Sequence, residues 1–310
     1  MRPPPADSDA LRALRRVLDL RAKLNDSLRR FFRERGFLEV ETPVVLPANA
    51  PEANIDAVPA GTGWFRTSPE LAMKRLLAAG CDKIFQLGPV ARAGEHGRWH
   101  HPEFTLLEWY RAGAGHLEIL ADAKALLAAV AREIRGATDF TWQGKPVSFA
   151  QELWEKISVS QAFIQHAGWD PALKFDPDRF DLDLVTRVEP ALPADRPVVL
   201  IDYPAPLAAL ARRKPDDPLR AERWELYLGG VELANAYSEL TDAAEQRARF
   251  VEANAARARR GEKPYPLDET FLAALAQMPP SGGIALGVDR LLMILADADG
   301  LDGVLPFRHG

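Results

Sequence analysis

Residues 91–113 read ARAGEHGRWHHPEFTLLEWYRAG, in which a loop rich in cations and histidines precedes an alternating strand. Side chains along a strand point alternately to its two faces. The alternation therefore predicts that Phe104, Leu106, Glu108 and Tyr110 share one face. A carboxylate on an otherwise apolar face is costly unless it meets a cation, so Glu108 is a candidate ligand for a bound ammonium group. The alternative is a surface strand on which Glu108 is exposed.

The same pattern returns in residues 221–240, AERWELYLGGVELANAYSEL. The Gly-Gly pair between two apolar runs predicts a β-hairpin. Asn235, Tyr237 and Glu239 would share one face of its second strand. Two strands that each offer an aromatic residue and a glutamate suit a ligand whose aliphatic chain ends in a positive charge.

Other charged residues suit a nucleotide. Glu225 and Glu232 are candidate ligands of Mg²⁺, which takes one or two carboxylates together with substrate phosphates. Two glutamates seven residues apart are also compatible with an ordinary strand pair. Arg92 and Arg290 are candidate phosphate ligands because the guanidinium fork matches phosphate oxygens. Close approach of a nucleotide to the last strand would be allowed by its glycines, Gly282, Gly283 and Gly287.

The histidines His96, His100 and His101 raise the alternative of a zinc site. The chain has no HExxH motif on a helix, and the acidic residues nearby have no ligand spacing. We therefore expect no zinc. His100 would either stack on a nucleotide base or support the loop, and His96 would have no role.

Helices and strands alternate along the remainder of the chain. Helical spacing of apolar residues and capping signals predict helices at 10–35, 68–80, 116–134 and 242–260. Strands are predicted at 36–43, 82–88 and 198–204, and residues 282–297 read as a strand that runs into an apolar helix. Hairpins in place of regular βαβ repeats predict an α+β fold with a largely antiparallel sheet. We expect a single domain over residues 1–310, with a less regular elaboration at about 136–220.

Composition restricts the class of protein. The 310 residues include one cysteine, Cys81, which excludes an intrachain disulfide and a zinc site of several cysteines. The start MRPPPADSDA has no apolar leader, and no membrane-spanning run is present, so we expect a cytoplasmic protein. The net charge of −5 argues against general nucleic-acid binding. Residues 11–36 carry nine cations and three acids, which suits either a solvated helix face or the docking of an acidic partner.

Three segments together resemble the three signature motifs of class II aminoacyl-tRNA synthetases of the lysyl type. They are GFLEVETPVV at 36–45, RAGEHGRWHHPEFTLLEWY at 92–110 and GGIALGVDRLLMI at 282–294. The order and spacing match over residues 11–307. The resemblance implies a class II antiparallel β-sheet flanked by helices, the use of ATP and Mg²⁺, and a homodimer.

The resemblance also implies roles for individual residues. Arg92 is similar to the arginine on the α-phosphate, Arg290 to the one on the γ-phosphate, and Phe104 to the aromatic residue under adenine. The implied ATP-binding residues are Arg92, Glu95, His100, Phe104, Glu225, Gly283, Gly287 and Arg290. The implied residues for the substrate amino acid are Ser68, Glu70, Glu108, Tyr110, Asn235, Tyr237, Glu239 and Ala285. The implied metal ligands are Glu225 and Glu232.

Lysyl-tRNA synthetases carry an N-terminal anticodon-reading domain, and only about ten residues precede the first helix of this chain. With TSPE, LEWYR, ELAN, SELTDA and ALGVDR, the chain resembles the elongation factor P lysine ligase family, which attaches (R)-β-lysine to a lysine of elongation factor P. Ala285 stands where lysyl-tRNA synthetases have glycine. We therefore expect (R)-β-lysine or lysine as the substrate, elongation factor P as the acceptor, and no tRNA.

Two alternatives belong to other functional classes. One is a truncated lysyl-tRNA synthetase that still charges tRNA, and the other is a non-catalytic paralogue that senses an amino acid. Some positions depart from the family pattern, namely Ala93, Gly94, His101 and Ala236. These departures concern the adenine contacts and the rim of the amine pocket.

Overall fold

A computed structural model describes residues 11–12, 14–52 and 54–307. The predicted helix start at Ala10 lies outside the described residues. The helices are α1 (Arg15–Arg33), α2 (Glu70–Ala78), α3 (His116–Arg135), α4 (Val159–Ala167), α5 (Pro177–Asp183), α6 (Ala243–Arg259), α7 (Glu269–Leu275) and α8 (Val288–Leu295).

The strands form one large sheet and two small ones. They are β1 (Leu38–Glu39), β2 (Val45–Leu46), β3 (Pro59–Ala60), β4 (Gly63–Phe65), β5 (Lys83–Ala91), β6 (Glu103–Ala112), β7 (Asp139–Trp142), β8 (Lys145–Ser148), β9 (Glu155–Ser158), β10 (Val198–Pro204), β11 (Arg220–Leu228), β12 (Val231–Ser238) and β13 (Ser281–Gly287).

The large sheet has eight strands in the order β1-β5-β6-β13-β12-β11-β10-β9. The six strands from β5 to β10 in this order pair antiparallel, and the two edge strands β1 and β9 pair parallel to their neighbours. The predicted α+β fold with a largely antiparallel sheet is confirmed. Strand β13, which comes last in the chain, lies between β6 and β12 at the centre of the sheet.

Most predicted elements form within a few residues of the expected bounds. Gly229 and Gly230 both have positive φ, 58° and 81°, as a two-residue hairpin turn requires. Asp242 caps α6, where its side chain accepts hydrogen bonds from two backbone N–H groups of the first turn. Ser68 accepts a hydrogen bond from the N–H of Glu70, although the helix itself begins two residues later than predicted.

Two predictions about secondary structure were wrong in detail. Only Leu38–Glu39 of the predicted strand at 36–43 joins the large sheet, and Val45–Leu46 pairs with β4 in a separate sheet. Pro43 lies between these two short strands and has no N–H to donate to a ladder. The segment 136–220 is also more regular than predicted, because it forms the hairpin of β7 and β8 and contributes β9 to the large sheet.

The main core lies on one face of the large sheet. Trp109, Trp224 and Ile284 point from the strands into an apolar cluster that α1, α3 and α8 complete. A second cluster joins α4 and α5 to β10, and a third joins α2 to α7. Edge strands and main-core side chains come from the segment 136–220 as well, which supports the single-domain division, and that division stays a prediction. Within the described ranges, no helix is both long and apolar enough to cross a bilayer.

Candidate active site

Strand register places the polar residues of the large sheet in two neighbouring rows. One row runs across β6, β13, β12 and β11 and consists of Glu108, Ala285, Asn235 and Glu225. The next row consists of Tyr110, Gly283, Tyr237 and Arg223. The intervening residues on the same strands, such as Trp109 and Trp224, are buried in the main core on the opposite face. Period-two alternation thus separates the core from a polar face.

The polar face forms the floor of a cavity of about 410 Å³, which is within the usual size of small-molecule sites. All of the residues predicted for ATP, amino acid and metal line it. They are Ser68, Glu70, Arg92, Glu95, His100, Phe104, Glu108, Tyr110, Glu225, Glu232, Asn235, Tyr237, Glu239, Gly283, Ala285, Gly287 and Arg290. Their proximity is a structural finding, whereas their individual roles stay predictions.

Glu108 lies at the bottom of the cavity. It is 1% exposed, so the alternative of an exposed surface strand is wrong. Ser68 Oγ donates a hydrogen bond of 2.6 Å to Oε1, and the hydroxyl of Tyr110 donates one of 2.8 Å to Oε2. Burial, with repulsion from Glu70, raises the pKa of Glu108 to about 7. A bound ammonium group would restore the ionised carboxylate, so the environment favours a cationic ligand.

Lys74 contacts two acidic residues that line the cavity, and the sequence analysis did not predict it. Its Nζ lies 2.5 Å from Oε1 of Glu70 and 2.5 Å from Oε2 of Glu239. Burial alone would lower the pKa of Lys74, but attraction to Glu239 and Glu70 outweighs burial and raises it. Burial raises the pKa of Glu239 to about 8, and Lys74 opposes that shift.

Two buried acceptors that line the cavity lack a protein partner. Among the residues that the structure describes, Oε1 of Glu239 and Oδ1 of Asn235 accept no hydrogen bond. The amide nitrogen of Asn235 donates a hydrogen bond of 3.2 Å to the hydroxyl of Tyr237. This bond fixes the orientation of the amide and leaves its oxygen able to accept from another group. Buried polar atoms in native proteins almost always have a partner. Two unpartnered oxygens in an acidic pocket therefore indicate a ligand that donates hydrogen bonds.

Gly283 is required by the packing of this end of the cavity. A Cβ atom at Gly283 would lie 2.3 Å from Oε1 of Glu239 and 2.3 Å from Cε1 of Tyr110. The sequence predicted that this glycine would allow close approach of a nucleotide, but the space is filled by two side chains of the protein. At Gly287 the nearest atom to a Cβ would be Cδ of Arg290 at 3.7 Å, so this glycine leaves open space.

The two arginines predicted for phosphates lie at the other end of the cavity. The guanidinium carbon of Arg92 lies 5.1 Å from the ring centroid of Phe104, and Nη1 is 3.5 Å from Glu95. Arg290, on α8, donates to the backbone carbonyl of Glu232 at 2.8 Å. Arg92 donates through Nε to the carbonyl of Thr67 and through Nη1 to Glu95. Arg290 is held at all three nitrogens, because Nε also donates to the carbonyl of Trp99 and Nη2 contacts His100. Each guanidinium group carries five N–H donors, so both retain N–H groups for an anion.

His100 contacts Arg290, because its Nε2 lies 2.8 Å from Nη2. Burial and the charge of Arg290 lower the pKa of His100, so the ring is neutral and accepts the hydrogen bond at pH 7. His101 is buried, with Nδ1 2.7 Å from the carbonyl oxygen of Glu103, and therefore supports the backbone of the loop. The described residues contain no group of three or more His, Cys, Asp or Glu that could hold a metal.

The predicted magnesium carboxylates differ in their surroundings. Glu225 accepts hydrogen bonds from the hydroxyls of Tyr203 at 2.6 Å and Tyr227 at 2.7 Å, and it also contacts Arg223. The side chain of Glu232 is 40% exposed, with Nη1 of Arg290 3.4 Å away. A pair of carboxylates at the phosphate end fits Mg²⁺, which completes its coordination with phosphate oxygens and water. This donor set would not by itself form a closed metal site.

Several residues of the cavity escaped the sequence analysis. Glu52 and Glu189 line it, and burial raises the pKa of each to about 7. Arg223 is packed between the rings of Tyr203 and Tyr237, with its guanidinium carbon 4.6 and 5.7 Å from their centroids. Arg223 lies two residues before Glu225 on β11, so strand alternation alone could have predicted that both lie on the polar face. The sequence carries no comparable signal for Glu52 and Glu189, which lie on irregular segments.

Several cations of the basic segment 11–36 form ion pairs within the protein. On α1, Arg29 and Arg33 pair with Glu39, and Arg30 pairs with Glu133. Arg257, on α6, is buried and pairs with Asp56. The helix therefore gives little support to a basic docking surface, and Arg257 cannot belong to one.

The large, mostly antiparallel sheet flanked by helices agrees with the class II synthetase fold that the sequence motifs imply. A family model described as "tRNA synthetases class II (D, K and N)" matches residues 9–309, and the chain belongs to this family. The resemblance noted from the three sequence motifs is thereby confirmed.

Curated relatives define the branch of the family more narrowly. The chain is 39% identical to the elongation factor P--(R)-beta-lysine ligase of Edwardsiella ictaluri, with 93% of each chain covered. It is 38% identical to the proteins of the same name from Klebsiella pneumoniae (93% of each chain) and Vibrio cholerae (94% of each chain). The chain thus spans nearly the whole length of these ligases.

Proposed function

We propose that this protein is an ATP-dependent ligase that activates (R)-β-lysine or lysine as an adenylate and transfers it to a lysine side chain of elongation factor P. The observation that carries the proposal is the pair of unpartnered buried acceptors, Glu239 Oε1 and Asn235 Oδ1, in an acidic pocket that opens toward two arginines. Such a pocket suits a molecule with ammonium groups at one end and a carboxylate at the other. The names of the curated relatives support the same substrate and acceptor.

In the first step, an oxygen of the substrate carboxylate attacks the α-phosphorus of ATP, and the bond from that phosphorus to the bridging oxygen of pyrophosphate breaks. Arg92 would hold the α-phosphate and Arg290 the γ-phosphate, and Phe104 would lie under adenine. Mg²⁺ held by Glu225 and Glu232 would supply positive charge to the phosphates. The contribution of the protein is positioning and stabilisation of charge, with no covalent enzyme intermediate.

The acidic end of the cavity determines where the carboxylate lies. Glu108 and Glu239 would bind the side-chain ammonium, and Glu70 lies near the backbone amine. The backbone N–H of Arg92 donates to Pro102, directly before β6, so a substrate anchored at Glu108 would extend along β6 toward Arg92. An anchored ammonium thereby fixes the distance between the reacting oxygen and the α-phosphorus.

In the second step, the neutral amine of the acceptor lysine attacks the carbonyl carbon of the adenylate. The bond between that carbon and the phosphate oxygen breaks, AMP leaves, and the amine gives up a proton as the amide forms. Elongation factor P as the acceptor rests on the names of the relatives. We expect the reaction to take place in the cytoplasm.

A homodimer is also part of the proposal. The segment that resembles the first class II motif exposes apolar side chains, among them Leu38 at 57% and Val45 at 48%, and Phe65 lies opposite Val45 in the small sheet. Exposed apolar patches of this kind are typical of protein interfaces. Sedimentation equilibrium of the chain would test the stoichiometry.

Intact mass spectrometry of elongation factor P tests the proposed function. The factor would be incubated with the enzyme, ATP, Mg²⁺ and either (R)-β-lysine or lysine, with lysine tRNA as a parallel acceptor. We expect a gain of one lysyl unit on the protein, dependent on ATP. An unmodified factor beside charged tRNA would overturn the choice of acceptor, and the absence of amino-acid-dependent pyrophosphate exchange would overturn the adenylate mechanism.

A further inference from the structure

Lys74 is a buried cation directly behind a pocket that is predicted to bind cations. It projects from α2 one turn after Glu70, and its side chain is 1% exposed. Neighbouring residues of α2, Leu71 and Leu77, lie in an apolar cluster. A charged group is costly to bury unless opposite charges surround it. The ammonium of Lys74 therefore persists in this place because of Glu70 and Glu239.

The two partners of Lys74 come from different parts of the fold. Glu70 begins α2, whereas Glu239 follows directly after β12 on the large sheet. Because one ammonium lies 2.5 Å from an oxygen of each, it fixes the helix and the sheet at the point where they enclose the substrate. No hydrogen bond between the two carboxylates could do this, since both are acceptors when ionised.

The charge balance of the pocket explains why a buried cation such as Lys74 is favourable. Glu70, Glu108 and Glu239 carry three negative charges when ionised, and Lys74 matches one of them, which leaves two. Glu52, which lines the same cavity and is repelled by Glu70, has its pKa raised to about 7 by burial. Lysine and β-lysine each bring two ammonium groups. With Lys74 present, both ammonium groups are matched, and Oε1 of Glu239 stays open for one of them while Oε2 contacts Lys74.

We propose that Lys74 is a positioning residue that holds Glu70 and Glu239 together, favours their ionised forms, and thereby sets the preference of the pocket for a substrate with two ammonium groups. This inference rests on the proposed function for the identity of the substrate. Lys74 itself does not touch the reacting atoms, which lie toward Arg92.

The test compares three variants with the unaltered protein. Lys74→Met keeps the length and apolar stem of the side chain but removes the charge. Lys74→Arg keeps the charge. Lys145→Met, at an exposed lysine of β8, is the control for the substitution itself. Each would be assayed by amino-acid-dependent pyrophosphate exchange and by calorimetric binding of lysine and (R)-β-lysine, with melting curves to confirm folding.

For Lys74→Met we expect KM and the dissociation constant for both diamines to rise about 10- to 100-fold, as on breaking a buried charge pair. The kcat should change much less, because the phosphate end is intact, and Lys74→Arg should recover part of the affinity. Norleucine, which lacks the side-chain amine, should lose far less affinity than lysine on the same substitution.

Two results would overturn the inference. One is unchanged KM and binding in a folded Lys74→Met variant, and the other is an equal loss for norleucine and lysine, which would show a general structural defect. Failure of the proposed function looks different, because the unaltered protein would then show neither binding of diamines nor pyrophosphate exchange. If Lys74→Met does not fold, Lys74→Arg and Lys74→Gln carry the same comparison.

Discussion

Tyr110 and Gly283 lie opposite each other in the adjacent antiparallel strands β6 and β13, and the ring of Tyr110 occupies the space that a side chain at Gly283 would need. The same contact brings Oε1 of Glu239 to the position of the absent Cβ. The tyrosine hydroxyl in turn donates to Glu108. One glycine thus allows three residues of the amine pocket to converge.

Gly283→Ala should raise KM for lysine strongly, because the added methyl displaces Tyr110 and Glu239. Forcing an extra methyl into a packed site costs about 1–3 kcal/mol. The matched control is Gly282→Ala, whose Cβ would meet Cγ1 of Ile119 at 2.6 Å on the core side. We expect Gly282→Ala to lower the melting temperature with little change in KM, and Gly283→Ala to change KM. Steady-state kinetics and melting curves of the two variants would measure this difference. Equal effects of the two substitutions on KM would contradict the prediction.

Arg92→Ala should depress adenylate formation by about 10²–10³-fold, as expected for loss of a group that stabilises charge in the transition state. Arg98→Ala is the control, because Arg98 belongs to the same loop but binds the backbone of Asp299 outside the cavity. Pyrophosphate exchange measures the step directly. Nearly normal exchange in the Arg92 variant would remove this residue from the mechanism.

Lysine should bind more tightly as pH rises from about 6 to about 8, since Glu108 must be ionised to attract an ammonium group. Burial raises the pKa of Glu108 to about 7, so the carboxyl is mostly protonated below that pH. Tyr110→Phe removes a hydrogen bond to the ionised form, which raises the pKa further and should move the binding profile to higher pH. Calorimetry across this range gives the midpoints. A profile that is flat, or that moves to lower pH in the variant, would contradict the assignment.

Glu232→Gln should raise the Mg²⁺ concentration required for half-maximal activity by about tenfold or more, because one of two carboxylates near the phosphates is lost. Activity at saturating Mg²⁺ should be partly restored. Glu252→Gln, at an exposed position of α6, serves as the control. A magnesium titration that coincides with that of the unaltered protein would argue that Glu232 acts only through Arg290.

Much of the cavity follows from period-two alternation alone. Once β6, β12 and β13 are recognised as strands, Glu108, Tyr110, Asn235 and Tyr237 must lie on polar faces. The sequence cannot show that β13, the last strand in the chain, lies between the other two. That placement depends on strand pairing between residues far apart in the sequence. It brings the polar residues of β6 and those of β12 into one pocket.

Lys74 shows why the remainder of the site could not be predicted. A glutamate and a lysine four residues apart on a helix usually form an exposed pair. Here the helix packs against β6, and Glu239 approaches from the sheet, so the same pair is buried. The short length of β1 is another case. The sequence predicts a strand as far as Pro43, but β1 pairs with β5 over only two residues, Leu38 and Glu39.

Ala285→Gly should reduce the preference for (R)-β-lysine over lysine by about tenfold, the usual value of a single methyl group in a binding pocket. Ala285 lies in the row between Glu108 and Asn235, so its methyl group faces the substrate amines between two of their predicted ligands. Ala236→Gly is the matched control, because Ala236 lies one residue along on β12 and is buried in the main core. The sequence-based prediction that Ala236 lies at the rim of the amine pocket is therefore wrong. Ala236→Gly should lower stability and leave the preference unchanged. The readout is the ratio of kcat/KM for the two amino acids, and an unchanged ratio in Ala285→Gly would mean that the choice between them is made by groups at the rim of the pocket.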